Sequence, residues 1–73
     1  MSRQFVVYVE WDAESKMYVG TVPGLHGAHS QGETLDELQK NMQEVVELVL
    51  EDLGEELDNL PVFVGLQTVA VAG

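Results

Sequence analysis

The 73-residue chain contains no cysteine, which excludes disulfide staples and any thiolate metal site. Cations are nearly as scarce: Arg3, Lys16 and Lys40 stand against thirteen acids, a formal net charge of −10 at pH 7. A surface that binds a duplex must displace counterions from several phosphates, and three scattered cations cannot do that. The same shortage argues against docking on an anionic membrane. No apolar run is long enough to span a bilayer, and the opening MSRQFVVYVEW lacks the longer apolar core and cleavage site of a signal peptide. Neither direct nucleic-acid binding nor membrane attachment is expected, and the cytoplasm is the expected location.

What is present is 45% hydrophobic residues, enough for one small core. Residues 1–73 are therefore read as a single domain. A core of this size alone gives thin stability, so self-association into a homodimer or larger homo-oligomer is expected to support it. The acidic surplus has two readings. It keeps a small protein soluble, or it supplies the field that steers and orients a basic partner.

Residues 4–11 are rich in aromatic and β-branched side chains and predict a strand. Phe5, Val7, Val9 and Trp11 fall on one face, and Val6, Tyr8 and Glu10 on the other. A strand apolar on both faces is expected at the centre of a sheet. The polar run 12–16 predicts a hairpin turn, with a second strand over 17–22 in which Gly20 marks a bulge or a close approach. Pro23-Gly24 breaks it, and a third extended piece is expected over 28–31.

Thr34 and Glu37 have the spacing of a capping box, which opens a helix. Leu35, Leu38, Met42, Val45, Val46, Val49 and Leu53 then recur at three- and four-residue steps as one apolar stripe. Gly54 is placed to end the helix, and residues 55–60 allow a last helical turn before Pro61. The run VFVGLQTVAV over 62–71 predicts a final strand beside the first. The expected architecture is α+β and two-layered, β-β-β-α-β, with one helix on a small mixed sheet. One helix covers one face, so the opposite face should meet a second copy or a partner through Val6, Tyr8, Val69 and Val71.

Catalytic patterns are thin, and the chain is read as a non-enzyme with no cofactor. No serine or threonine lies in a nucleophile-elbow motif. His26 and His29, three apart in an extended segment, point to opposite faces and read as polar loop residues rather than zinc ligands. Glu10, Asp12 and Glu14 alternate but lack the glycine and terminal Glu of a calcium loop. The informative pattern is on the helix. Glu47 and Glu51 are like charges at i,i+4, and the acids crowd the end where the helix dipole favours cations. Either solubility outweighs that cost, or a basic partner offsets it.

Three stretches carry a resemblance: FVVYVEW, MYVGTVPGLHG and SQGETLDELQKNMQEVVELVLEDL. Tyr18, Pro23, Leu25 and Gly27, followed by Gly32, Glu33, Thr34, Leu35 and Glu37, resemble the pattern of the HicB-like antitoxin family. Where that family commonly has Asp, Pro and Cys, this chain carries Gly24, His26 and Ala28. The resemblance implies a degraded ribonuclease-H-like core without its two-metal acids. It also implies a role in binding and silencing a small basic mRNA-cleaving toxin; many members add a DNA-binding domain, and none separate from residues 1–73 is expected here. The residues expected to meet such a toxin are Asp12, Glu14, Glu44, Glu47, Glu51 and Asp52. The other reading is an orphan homo-oligomeric scaffold that binds a small ligand or another protein.

Overall fold

The computed structural model describes residues 4–54 and 60–73. Three strands form one antiparallel sheet, β1 (Tyr8–Asp12), β2 (Met17–Thr21) and β3 (His29–Gly32), and one helix follows, α1 (Leu35–Leu53). The strand–strand–strand–helix order matches the expectation, and the arrangement is α+β.

The β1–β2 hairpin pairs Val9 with Gly20 and Trp11 with Tyr18. Its turn is closed by one side chain: Asp12 accepts from the Glu14 amide at 3.1 Å and from the Ser15 hydroxyl at 2.9 Å. The Lys16 amide donates back to the Asp12 carbonyl at 2.8 Å, which requires Lys16 at φ 58°. A side chain in that left-handed region is strained. Lys16→Gly is expected to stabilise the chain by about 0.5–1 kcal/mol, net of glycine's greater freedom when unfolded. A raised urea midpoint with an unchanged denaturant slope checks this.

Between β2 and β3 the segment Pro23-Gly24-Leu25-His26-Gly27 makes two consecutive turns. The Leu25 amide donates to the Val22 carbonyl at 3.2 Å, and the Ala28 amide to the Leu25 carbonyl at 3.1 Å. Gly24 and Gly27 hold φ of 82° and 88°, the left-handed positions such turns require. The result drives Leu25 inward. Val22, Leu25, Ala28, Leu38 and Met42 form the buried core, and Val45, Val46 and Val49 pack around it.

Thr34 caps the helix, its hydroxyl accepting from the Glu37 amide at 3.0 Å. The reciprocal half of the capping box is displaced by one residue, since Glu37 accepts from the Glu33 amide at 3.4 Å. Gly54 closes the helix, its amide donating to the Leu50 carbonyl. The helix is fastened to β3 from the side by Asn41, whose amide nitrogen donates to the Gln31 carbonyl at 2.8 Å.

Two expectations about the sheet require correction. The first strand is shorter than 4–11 and lies at an edge, because the sheet order is β1-β2-β3 with β2 in the centre. Residues 62–71 form no strand, so the described sheet is wholly antiparallel rather than mixed. The physical link between the two is that the strand expected to flank β1 does not pair with it within one chain. Within the helix stripe, Leu35 is 57% exposed although its spacing places it with the core residues. The expected last turn over 55–60 falls mostly outside the described residues; Leu60 itself is half-buried against the core.

Candidate functional site

The helix sits over β3 and, more lightly, over β2, and its backbone does not approach that of β1 among the described residues. Its core face is thereby fixed: Leu38 and Met42 point to the sheet and are 2% exposed. The opposite arc is set by the same period. Glu44, Glu47 and Glu51 recur at three- and four-residue steps on that outer arc, with Asp52 beside them, and all four are exposed.

Leu48 lies inside this arc, one turn from both Glu44 and Asp52 and next to Glu47, and it is 65% exposed. This apolar side chain, ringed by four carboxylates, takes no part in the core cluster. Sequence reasoning missed it, because the apolar stripe leaves out both Leu48 and Leu50, and only the structure shows that Leu50 packs on the core while Leu48 does not. A helical projection carries the signal, since Leu48 falls far from the Leu38–Met42–Val45–Val49 face.

The electrostatics of the arc are one-sided. The first turn carries Asp36 and Glu37, where the helix dipole favours acids, but the last turn carries no base. Gln43 donates to Glu47 at 3.2 Å and holds that carboxylate along the arc. Glu47 and Glu51 repel one another at i,i+4, at a cost of about 0.2–0.5 kcal/mol. The arrangement can bind a cationic surface around a central apolar contact.

Asp12 and Glu14 do not join this arc. Gly32 lies under the helix start at Leu38, and Gly27 lies near Val49 towards its end. The β1–β2 turn adjoins the Tyr18–Gly32 end of the sheet, so it lies by the helix start, whereas Glu47, Glu51 and Asp52 lie by its close. Helix rise alone separates Leu38 from Glu47, Glu51 and Asp52 by about 14–21 Å. Asp12 is moreover engaged in closing its own turn. Val6 and Tyr8, expected at an interface, are 39% and 41% exposed, and Val69 and Val71 are 80% and 87% exposed.

His26 and His29 are exposed, and among the described residues no three His, Asp or Glu side chains converge to hold a metal ion. Trp11 and Tyr18 pack edge to face with ring centroids 4.9 Å apart, so these aromatics stack on each other across the hairpin. No helix among the described residues is long and apolar enough to cross a membrane.

Comparison with known proteins follows the same lines. A UPF0150 protein of Thermotoga maritima is 46% identical over 67 residues, covering 92% of this chain and 88% of its own. A UPF0150 protein of Synechocystis is 46% identical over 69 residues, with 94% and 96% covered. One from Archaeoglobus fulgidus is 40% identical over 68 residues, with 93% and 94% covered. No solved structure matches the chain. Residues 5–71 match the family described as the HicB-like antitoxin of bacterial toxin–antitoxin system. With nearly the whole domain inside that match, the chain belongs to the HicB-like antitoxin family.

Proposed function

We propose that this protein is a non-catalytic antitoxin that neutralises a small basic mRNA-cleaving toxin by covering its cationic RNA-binding surface. The observation that carries the reading is the outer arc of α1, where Glu44, Glu47, Glu51 and Asp52 surround the exposed Leu48 with no base in the last turn. A desolvated apolar anchor inside a charged rim is the usual anatomy of a protein interface. The net charge of −10 would repel RNA and attract the surface that binds RNA. Family membership supports a toxin–antitoxin role.

The direct test is to co-express the chain with the protein encoded beside its gene, which this reading expects to be small and basic. Growth and intact mRNA should be restored when both are made. A neighbour that is neither basic nor toxic, or toxicity unchanged by the chain, would favour the orphan scaffold instead.

The arc makes a sharper prediction through the sign of two effects. Exposed carboxylates singly contribute little, but a cluster governs encounter rate. Replacing Glu44, Glu47 and Glu51 together by Gln should slow association with the toxin about tenfold at low salt, with rates converging as salt screens the field. The same variant loses the Glu47–Glu51 repulsion and should be more stable by a few tenths of a kcal/mol. Stopped-flow association across ionic strength, beside a urea melt, reads both. Weaker binding from a stabler protein is what a functional arc requires, and unchanged rates at every ionic strength would remove the arc from the interface.

A further inference from the structure

Residues 60–73 contain no charged side chain, in a chain whose net charge is −10. The segment passes beside the N-terminal stretch, where Pro61 and Phe63 share an open cleft of about 750 Å³ with Phe5 and Leu25. Beyond it the chain joins no sheet: Leu66, Val69 and Val71 are 74%, 80% and 87% exposed. The cost shows in the dimensions. The Cα radius of gyration is 14.1 Å, against about 11 Å for a compact domain of this length. The accessible surface is 6291 Å², against roughly 4,500 Å² for a compact monomer of this mass.

A second feature is open on the same molecule. β1 pairs with β2 on one side only, and its other edge carries no ladder partner among the described residues. On the helix side of that strand Val9 and Trp11 are 48% and 54% exposed, because α1 does not reach them. An uncovered edge with apolar side chains is a template for another strand.

We infer that residues 62–71 of one copy add as a fourth strand to the free edge of β1 in a second copy, and that the exchange is reciprocal. Three physical arguments select a second copy of this chain as the occupant. First, the excess surface of about 1,800 Å² per chain exceeds the roughly 800 Å² per partner of a stable interface. Second, the segment is apolar at both alternating sets of positions, Val62, Val64 and Leu66 on one and Phe63, Val69 and Val71 on the other. Such a strand is stable only when covered on both faces. One chain cannot cover it, since α1, the one helix among the described residues, stops short even of β1, whereas two chains bring a second set of apolar surfaces. Third, two chains of net charge −10 can meet closely only where charge is absent, and this segment carries no charged side chain. Reciprocal exchange buries the same patch on both copies, as a two-fold interface demands. It also restores the fourth strand that the sequence pattern predicts.

Analytical ultracentrifugation of the full chain at micromolar concentration should give twice the mass of 8.0 kDa. Val69→Asp with Val71→Asp should raise the dimer dissociation constant by about 100-fold or more, because two buried charges would be left unpaired. The helical circular dichroism of that variant should persist, since neither residue touches the core. The absence of native cysteine allows a test of exchange itself. Chains carrying Val9→Cys are mixed with chains carrying a single cysteine at Leu66, Val69 or Val71 in turn. At least one of the three mixtures should yield a disulfide-linked heterodimer. A monomeric mass, or a dimer indifferent to the two aspartates, would overturn the inference. So would disulfides that form only within a chain carrying both cysteines. Each of these readouts is independent of toxin binding through the Leu48 arc.

Discussion

Replacing Gly32 by alanine is expected to cost about 2–3 kcal/mol, most of what a core of this size supplies. A Cβ built at Gly32 would stand 2.6 Å from the Leu38 amide nitrogen, 3.0 Å from the Leu38 Cα and 3.1 Å from the Glu37 carbonyl carbon. All three are backbone atoms of the first helical turns. No rotamer change relieves such a contact, so the helix must lift from β3 as a body. Leu38 and Met42, each 2% exposed, are the residues that lifting would unseat. Two other glycines provide the scale. At Gly20 the added carbon would meet Val7 and Met42 side chains at 3.0 and 3.1 Å, which can move aside at smaller cost. At Gly65 nothing lies within 4 Å, and alanine there should change stability by no more than about 0.5 kcal/mol. Urea titrations of the three alanine variants, followed by helical circular dichroism, should rank them Gly32, Gly20, Gly65. Equal midpoints for Gly32→Ala and Gly65→Ala would show that the helix is not seated on β3 as described.

Gly32 also marks how far the sequence could be read. The hairpin, its turn and the helix were legible because each rests on neighbours close in the chain: Asp12 closing its own turn, Thr34 capping its own helix, Gly54 ending it. The close approach at Gly32 was not legible, since only three-dimensional packing places Leu38 above it. The sheet order failed for a different reason. The two apolar faces of β1 are a sound sign of a central strand. In one chain, however, β1 is an edge, with Val9 and Trp11 about half exposed. The pattern describes the environment the strand is selected for rather than the one a lone chain supplies, and the uncharged segment 62–71 carries the same mismatch. A conflict of this kind between local pattern and observed position is where function or assembly is expected to lie.

The candidate site divides along the same line. Exposure of Glu44, Glu47, Glu51 and Asp52 followed from helical period, as did their sharing of an arc. The distance of Asp12 and Glu14 from that arc did not, because it depends on which end of the sheet the helix starts from.

Two leucines ten residues apart on α1 should separate folding from binding. Leu38 is 2% exposed at the centre of the core, so Leu38→Ala removes buried apolar surface and leaves a cavity. That change should cost about 2–5 kcal/mol and leave the chain largely unfolded. Leu48 is 65% exposed and has no part in the core cluster, so Leu48→Ala should leave stability within about 0.5 kcal/mol. The same truncation should weaken the toxin complex by about 30-fold, the effect of losing a central anchor worth roughly 2 kcal/mol. Calorimetric titration of each variant against the toxin, beside a urea melt, gives the comparison. The loss at Leu48 should persist at high salt, where the effect of the surrounding glutamates fades, because apolar burial is not screened. Parent-like affinity for Leu48→Ala would place the toxin on another face, and the acids around it would then be serving solubility alone.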